Sequence, residues 1–166
     1  MAVSERTAAI IVEVIQGEDG IRALSPDLIM LLRNLQERYH CLIIADEIQS
    51  GIGRTGTFFA FEQFDIKPDI VVAAKALGGG LPLGAIITSD EIASVFKQGV
   101  HGTTFGGNAL SCVAGSVVLD ELSHGLMDHV RELSEWFFSK LASLQLAYPD
   151  HITEIRGKGL MIGLEF

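Results

Sequence analysis

The chain is poor in cysteine, in proline and in positive charge. Two cysteines, Cys41 and Cys112, among 166 residues exclude a disulfide framework, and their placement fits no metal-ligand spacing. Both read as buried, reduced thiols, which points to a cytoplasmic protein. Twelve lysines and arginines stand against 21 aspartates and glutamates, for a net charge of −9, and the basic residues form no stripe. Binding to a phosphate backbone depends on clustered positive charge, so nucleic acid is not expected as a partner. The apolar runs, such as "AAIIVEVI" and "CLIIAD", stop far short of the roughly 20 residues that cross a bilayer, and no membrane span is expected. The histidines His40, His101, His124, His129 and His151 contain no H-x-x-x-H pair, so no metal site is expected either. The opening "MAVSERTAA" lacks the basic start and long apolar core of a secretory signal.

What is present is apolar and short-ranged. Hydrophobic residues make up 48% of the chain, enough for one domain with a sizeable core, or one domain and part of another. Residues 8–14, "AAIIVEV", are short and rich in β-branched residues, the pattern of a strand buried on both faces of a parallel sheet. "SPDLIMLLRNLQERYH" predicts an amphipathic helix with Ser25 as N-cap and Pro26 at its first position. "CLIIAD" and "DIVVAAK" predict two more buried strands. Strand, helix and strand over about 30 residues make a βαβ unit, hence an α/β fold with a mostly parallel sheet and flanking helices. "LPLGAIITS" follows too soon for a parallel crossover and is expected to run antiparallel. Residues 108–121 and 126–147 are expected to be helical, the second with a core stripe of Trp136, Phe137, Leu141 and Leu144. "HITEIRGKGLMIGLEF" predicts two short strands of a separate, smaller unit. A strand that begins by Ala8 and another still running at Phe166 suggest a piece of a longer protein.

Ligands of an open parallel sheet bind outside the carboxyl ends of its strands. Each expected strand carries an ionisable residue there: Glu13 or Glu18 after the first, Asp46 after the second, Lys75 after the third. Strand ends meet water and often carry charge, but three aligned ends are a stronger signal. Among the lysines only Lys75 lies between an apolar run, "IVVAA", and a glycine run, "ALGGG". A lysine desolvated in that way becomes an amine nucleophile able to form a Schiff base with an aldehyde cofactor. The glycines would let backbone approach a flat ligand. A Walker-type phosphate lysine has its glycines before it and Ser or Thr after it, the reverse of this order. "GIGRTG" at 51–56 is a literal G-x-G-x-x-G, yet "EIQS" separates it from the strand and no ribose-binding acid follows on a later strand, so a dinucleotide site is not expected. With Lys75 as a Schiff-base lysine, Asp46 gains a role, because pyridoxal phosphate withdraws electrons best while a carboxylate keeps its ring nitrogen protonated.

"IIADEIQSGIGRTG", "AAKALGGGLPLGA" and "HGTTFGGNAL", in this order and spacing, resemble the class III (subgroup II) pyridoxal-phosphate aminotransferases, and within them the acetylornithine/succinylornithine aminotransferases. The resemblance runs from "AAIIVEVIQGEDG" to "EIRGKGLMIGLEF". It implies the aspartate-aminotransferase-like fold, fold type I, with residues 1–122 in the large cofactor-binding domain and 123–166 forming a linking helix and the start of a small C-terminal domain. It implies that Lys75 binds pyridoxal 5'-phosphate covalently, that Asp46 pairs with its ring nitrogen and that Gln49 contacts its phenolic oxygen. Thr104 would bind the phosphate of the neighbouring subunit's cofactor in a homodimer, with Thr103 near the substrate. Glu18 matches a glutamate that pairs with a carboxylate-binding arginine, and Glu13 one that lies close to cofactor and substrate. The implied reaction moves the ω-amino group of an N-acylornithine to 2-oxoglutarate; an ω-amino-acid transaminase, an aminomutase and a non-catalytic truncated chain are the alternatives. Gln49 and "GIGRTG" favour transamination over the aminomutases. Val14, Asp19 and Ala109 depart from the family's usual proline, glycine and proline, and the first two bear on the backbone around Glu18.

Overall fold

The structure, a computed structural model, describes residues 3–166. In chain order it contains β1 (Ala9–Val12), β2 (Ile15–Gln16), β3 (Arg22–Ala23), α1 (Pro26–Tyr39), β4 (Leu42–Asp46), β5 (Ile70–Ala73), β6 (Ala85–Thr88), α2 (Asp90–Ala93), α3 (Ala109–Glu121), α4 (Met127–Ala147), β7 (Glu154–Lys158) and β8 (Met161–Glu165). Short 3-10 turns lie at Ala60–Gln63 and Lys75–Gly78.

The β-branched residues of β1, β4 and β5 favour extended backbone. These strands pair in parallel, with Ile10 opposite Ile43 and Ala45 opposite Val71. β6 joins β5 antiparallel, as its short connection requires, and the sheet order is β1-β4-β5-β6. Strand alternation points Ile43 and Ala45 of β4, and Val71 and Ala73 of β5, to buried positions. The expectation of burial on both faces is corrected here: in β4 and β5 the alternate residues are only half-buried, and Ile11 of β1 is 64% exposed. β1 and β6 are edge strands in this chain, so the sheet buries one face well and the other in part.

α1 starts where its sequence says it should. Ser25 Oγ accepts from Leu28 N at 3.2 Å, Pro26 occupies the first helical position and Asp27 lies in the first turn, where the helix dipole favours negative charge. Ile29 and Leu32, one face of this helix, join Ile43, Val14, Ile15 and Met161 in the main core cluster. Each side chain buried that fully contributes about 1.5–3 kcal/mol relative to exposure. Cys41 is buried as expected, but Cys112 is exposed, because it lies on a face of α3 that nothing in this chain covers.

α3 runs into α4 through a π-helical stretch, Leu122–Leu126, where His124 and Gly125 leave helical geometry. The expected core stripe on α4 is corrected as well. Leu141 is buried, but Trp136, Phe137 and Leu144 are 55%, 40% and 43% exposed, since the apolar face of the helix is wider than the hairpin packed against it. That hairpin, β7–β8, is antiparallel, with Arg156 opposite Gly163. Arg156 Nη1 lies 2.7 Å from both Glu154 and Glu165, and Arg22 of β3 reaches the same two carboxylates at 3.6 and 3.3 Å. Arg156 Nε also donates to Gly20 O at 2.5 Å. This network holds the hairpin onto the 17–23 segment.

Candidate active site

Because β1, β4 and β5 are parallel, their carboxyl ends share one edge. Asp46, the last residue of β4, lies opposite Val72, and Glu47 N continues the ladder by donating to Val72 O at 2.9 Å. Lys75 follows three residues later on the neighbouring strand. The two residues expected to bracket one ring thus end adjacent strands on the same edge.

Lys75 is nevertheless exposed, which corrects its reading as a desolvated amine. The chain leaves β5 at Ala74, and Lys75 opens a 3-10 turn with φ 45°, a left-handed conformation rare for a residue with a Cβ. Such backbone costs on the order of 1–3 kcal/mol and persists only where the surroundings enforce it. The turn lifts the side chain out of the strand, so its apolar sequence neighbours do not enclose it. The glycines serve that turn. Gly79 ends it at φ 59°, and a Cβ there would lie 3.1 Å from Val118 of α3. They pack the turn onto a helix; the expected close approach to a flat ligand is not their visible use.

Lys75 lines two cavities. One, of about 390 Å³, is shared with Gln49, Arg54, Ile21 and the apolar residues Ala76, Leu160, Met161 and Ile162. The other, of about 560 Å³, is shared with Thr103, Phe105, Gly106 and Gly107 and with Leu81 to Gly84. Gln49 and Thr103 therefore each share a cavity with Lys75. Asp46, Thr104, Glu13 and Glu18 lie outside both linings; Thr104 and Glu18 are exposed. Gln49 Oε1 packs directly on Gly17, where any side chain would overlap it. Gly17 N donates to Glu13 Oε2 at 3.2 Å, which draws Glu13 toward the same edge. Ile21, a β-branched residue at φ 60°, is a second strained position in the lining.

Asp46 is half-buried, and its Oδ1 accepts from Ile48 N at 3.0 Å. Its Oδ2 receives no hydrogen bond among the described residues. An amine, a carboxylate with one uncommitted oxygen and an amide share this edge, and the two linings around Lys75 contain no carboxylate. That donor set fits pyridoxal phosphate: amine to aldehyde, carboxylate to pyridinium and amide to phenolic oxygen.

Two residues of this region escape a sequence reading. Arg54 belongs to the glycine-rich "GIGRTG", which favours transamination as a motif without marking any one residue, and it lines the Lys75 cavity. Glu47, beside Asp46, is completely buried. Its Oε2 accepts from Ser50 Oγ at 2.8 Å and Ala60 N at 2.9 Å, and its Oε1 from Phe61 N at 2.8 Å. Burial pushes this carboxyl up from its ordinary 4.5, with a smaller push from Glu62; the three donors pull it back without prevailing. The only cue in the sequence is an acid directly after another acid at a strand end.

The family model described as aminotransferase class-III matches residues 1–166. The chain is 48% identical over 165 residues to the acetylornithine aminotransferase of Agrobacterium fabrum (strain C58 / ATCC 33970), covering 99% of this chain and 41% of that protein. It is 43% identical over 164 residues to the succinylornithine transaminase of Photorhabdus laumondii subsp. laumondii, covering 98% and 40%. Among solved structures, the ornithine aminotransferase from Toxoplasma gondii ME49 superposes with a TM-score of 0.90 at 35% identity, over 97% of this chain and 39% of that one. The chain thus spans about two fifths of the length of the curated relatives it matches. With an α/β sheet of matching architecture and a family model that matches residues 1–166, the chain belongs to the class-III aminotransferases.

Proposed function

We propose that this chain supplies the lysine side of a pyridoxal-phosphate aminotransferase site that moves the ω-amino group of an N-acylornithine to 2-oxoglutarate, in a cytoplasmic homodimer. One observation carries the reading: Asp46 and Lys75 end adjacent parallel strands on one edge, with Gln49 in the cavity Lys75 lines. The names of the two curated relatives, acetylornithine and succinylornithine enzymes, support the choice of amino donor.

When bound, pyridoxal phosphate supplies an aldehyde that captures amines and a protonated ring that withdraws electrons. Lys75 Nζ would hold that aldehyde and would be placed to move a proton at the substrate carbon. Asp46 Oδ2 would keep the ring nitrogen protonated, while Oδ1 stays tied to Ile48 N. The Gln49 amide would donate to the phenolic oxygen, and Thr103 would border the substrate. Thr104, outside both cavities of its own chain, serves the phosphate of the partner subunit's cofactor. Glu18 would pair with a carboxylate-binding arginine, and Glu13 would lie close to cofactor and substrate. The domain division we propose falls at residue 122, where the π-helical stretch interrupts α3 and α4.

The test is a chimera in which residues 3–166 replace the matching stretch of the Agrobacterium enzyme. With N-acetylornithine and 2-oxoglutarate it should form glutamate, and Lys75→Ala should abolish that. A folded chimera inactive toward every ω-amine tried would overturn the assignment.

A further inference from the structure

Glu47 is completely buried and its carboxyl is committed to Ser50, Ala60 and Phe61, so it is not offered to substrate or cofactor. It is held from every side. Its N–H donates to Val72 O at 2.9 Å, its C=O accepts from Gly51 N at 3.0 Å, and its carboxyl accepts from Ser50, Ala60 and Phe61. A Cβ on Gly51 would lie 2.8 Å from Glu47 O and 3.2 Å from Glu47 Oε2, so the turn closes tightly over this side chain.

The turn fixed in this way, residues 47–51, carries both neighbours of interest. Ile48 N, which orients the Asp46 carboxylate, is inside it, and so is Gln49, which packs on Gly17. We propose that Glu47 is the positioning residue that sets Asp46 and Gln49 at the cofactor edge, by tying the 47–51 turn to the 60–63 turn beneath it. The proposal rests on the reading that these two residues hold pyridoxal phosphate. Its physical basis is that a ring-nitrogen partner works only when its oxygen is held to within a fraction of an ångström, and buried, fully satisfied hydrogen bonds supply that rigidity. A simple cap on the 60–63 turn predicts something else: its loss would loosen residues 57–64 and leave residues 46–51 as they were.

The experiment compares the 166-residue chain with Glu47→Gln, Glu47→Ala and Ser50→Ala. Amide hydrogen exchange is read on peptides covering 46–51, 57–64 and, as reference, α1. Pyridoxal phosphate is titrated in parallel, and the absorbance of the bound cofactor is followed against pH. For Glu47→Ala, exchange at 46–51 should rise by about tenfold or more with α1 unchanged. The pH at which the cofactor band changes should also shift, because that band reports protonation of the lysine–cofactor linkage, which the partners of the ring nitrogen and of the phenolic oxygen both tune. Glu47→Gln, which keeps the reach and one accepting oxygen, should recover most of both effects. Where Glu47→Ala does not fold, Ser50→Ala and Glu47→Gln carry the same comparison with smaller changes. Unchanged exchange at 46–51 together with an unchanged band profile, whatever happens to 57–64 or to stability, overturns the proposal. If the unsubstituted chain takes up no pyridoxal phosphate on Lys75, the functional reading fails, and exchange at 46–51 alone decides the role of Glu47.

Discussion

At the scale of single residues, the site depends on backbone that a composition-based reading does not reveal. Lys75 drew attention because a lysine beside "IVVAA" looked desolvated; it is exposed, and its distinction is a left-handed backbone angle of 45°. Sequence order placed it at a strand end correctly, but the turn that begins there is a matter of φ and ψ, which residue identity specifies only for glycine and proline. Asp46 and Gln49 were legible from strand end and motif. Glu47 was not, since a buried carboxyl is unusual and its partners at Ala60 and Phe61 are 13 and 14 residues away. That burial makes a pH prediction. A carboxyl raised in the folded state keeps its proton where the unfolded chain has released it, so the folded state is favoured below the ordinary 4.5, and this contribution is lost as pH rises through the folded value. Measured by denaturant unfolding, the unsubstituted chain should therefore lose stability relative to Glu47→Gln as pH rises above 4.5. A difference that stays constant or moves the other way contradicts the raised value. Gly51→Ala should destabilise, by about 1–3 kcal/mol, through overpacking against Glu47.

At the scale of elements, local signals did best where they are strongest. α1 was readable from a cap, a proline and a 3.6-residue period, and Ser25→Ala should cost about 1 kcal/mol in unfolding free energy. A loss below about 0.3 kcal/mol would show the cap hydrogen bond to be idle. Asn108 does the same for α3, its Oδ1 accepting from Leu110 N at 3.1 Å and Ser111 N at 3.2 Å. Asn108→Ala should likewise cost about 1 kcal/mol and speed hydrogen exchange in the preceding loop that carries Thr103 and Thr104. The strands β1, β4, β5 and β6, with their parallel and antiparallel senses, followed from short apolar runs and connection lengths. The β2–β3 pair around "GEDG" did not, because strands of two residues carry no period. On α4, Trp136, Phe137 and Leu144 misled for another reason: helical spacing shows which face is apolar but not what lies against it.

At the scale of the whole molecule, the apolar surface of this chain exceeds what it covers. Leu110, Val113 and Val117, spaced at three and four residues on α3, are 69%, 63% and 55% exposed, and Phe105 in the neighbouring loop is 80% exposed. A contiguous patch of this kind favours association. Sedimentation velocity should show self-association that Val113→Glu weakens; a clean monomer up to the solubility limit would contradict it. Non-covalent hold on the cofactor rests on charge-assisted phosphate contacts, each contributing about 1.5–3 kcal/mol. A covalent imine, by contrast, needs only an amine and an aldehyde, and Lys75 is one of five lysines, with Lys67, Lys97, Lys140 and Lys158. The most direct measurement is therefore titration with pyridoxal phosphate, reduction with borohydride and peptide mapping of the label. The account predicts that the label concentrates on Lys75 and that Lys75→Ala removes it without transferring it elsewhere; label spread evenly over the lysines, or concentrated on one of the other four, would contradict it.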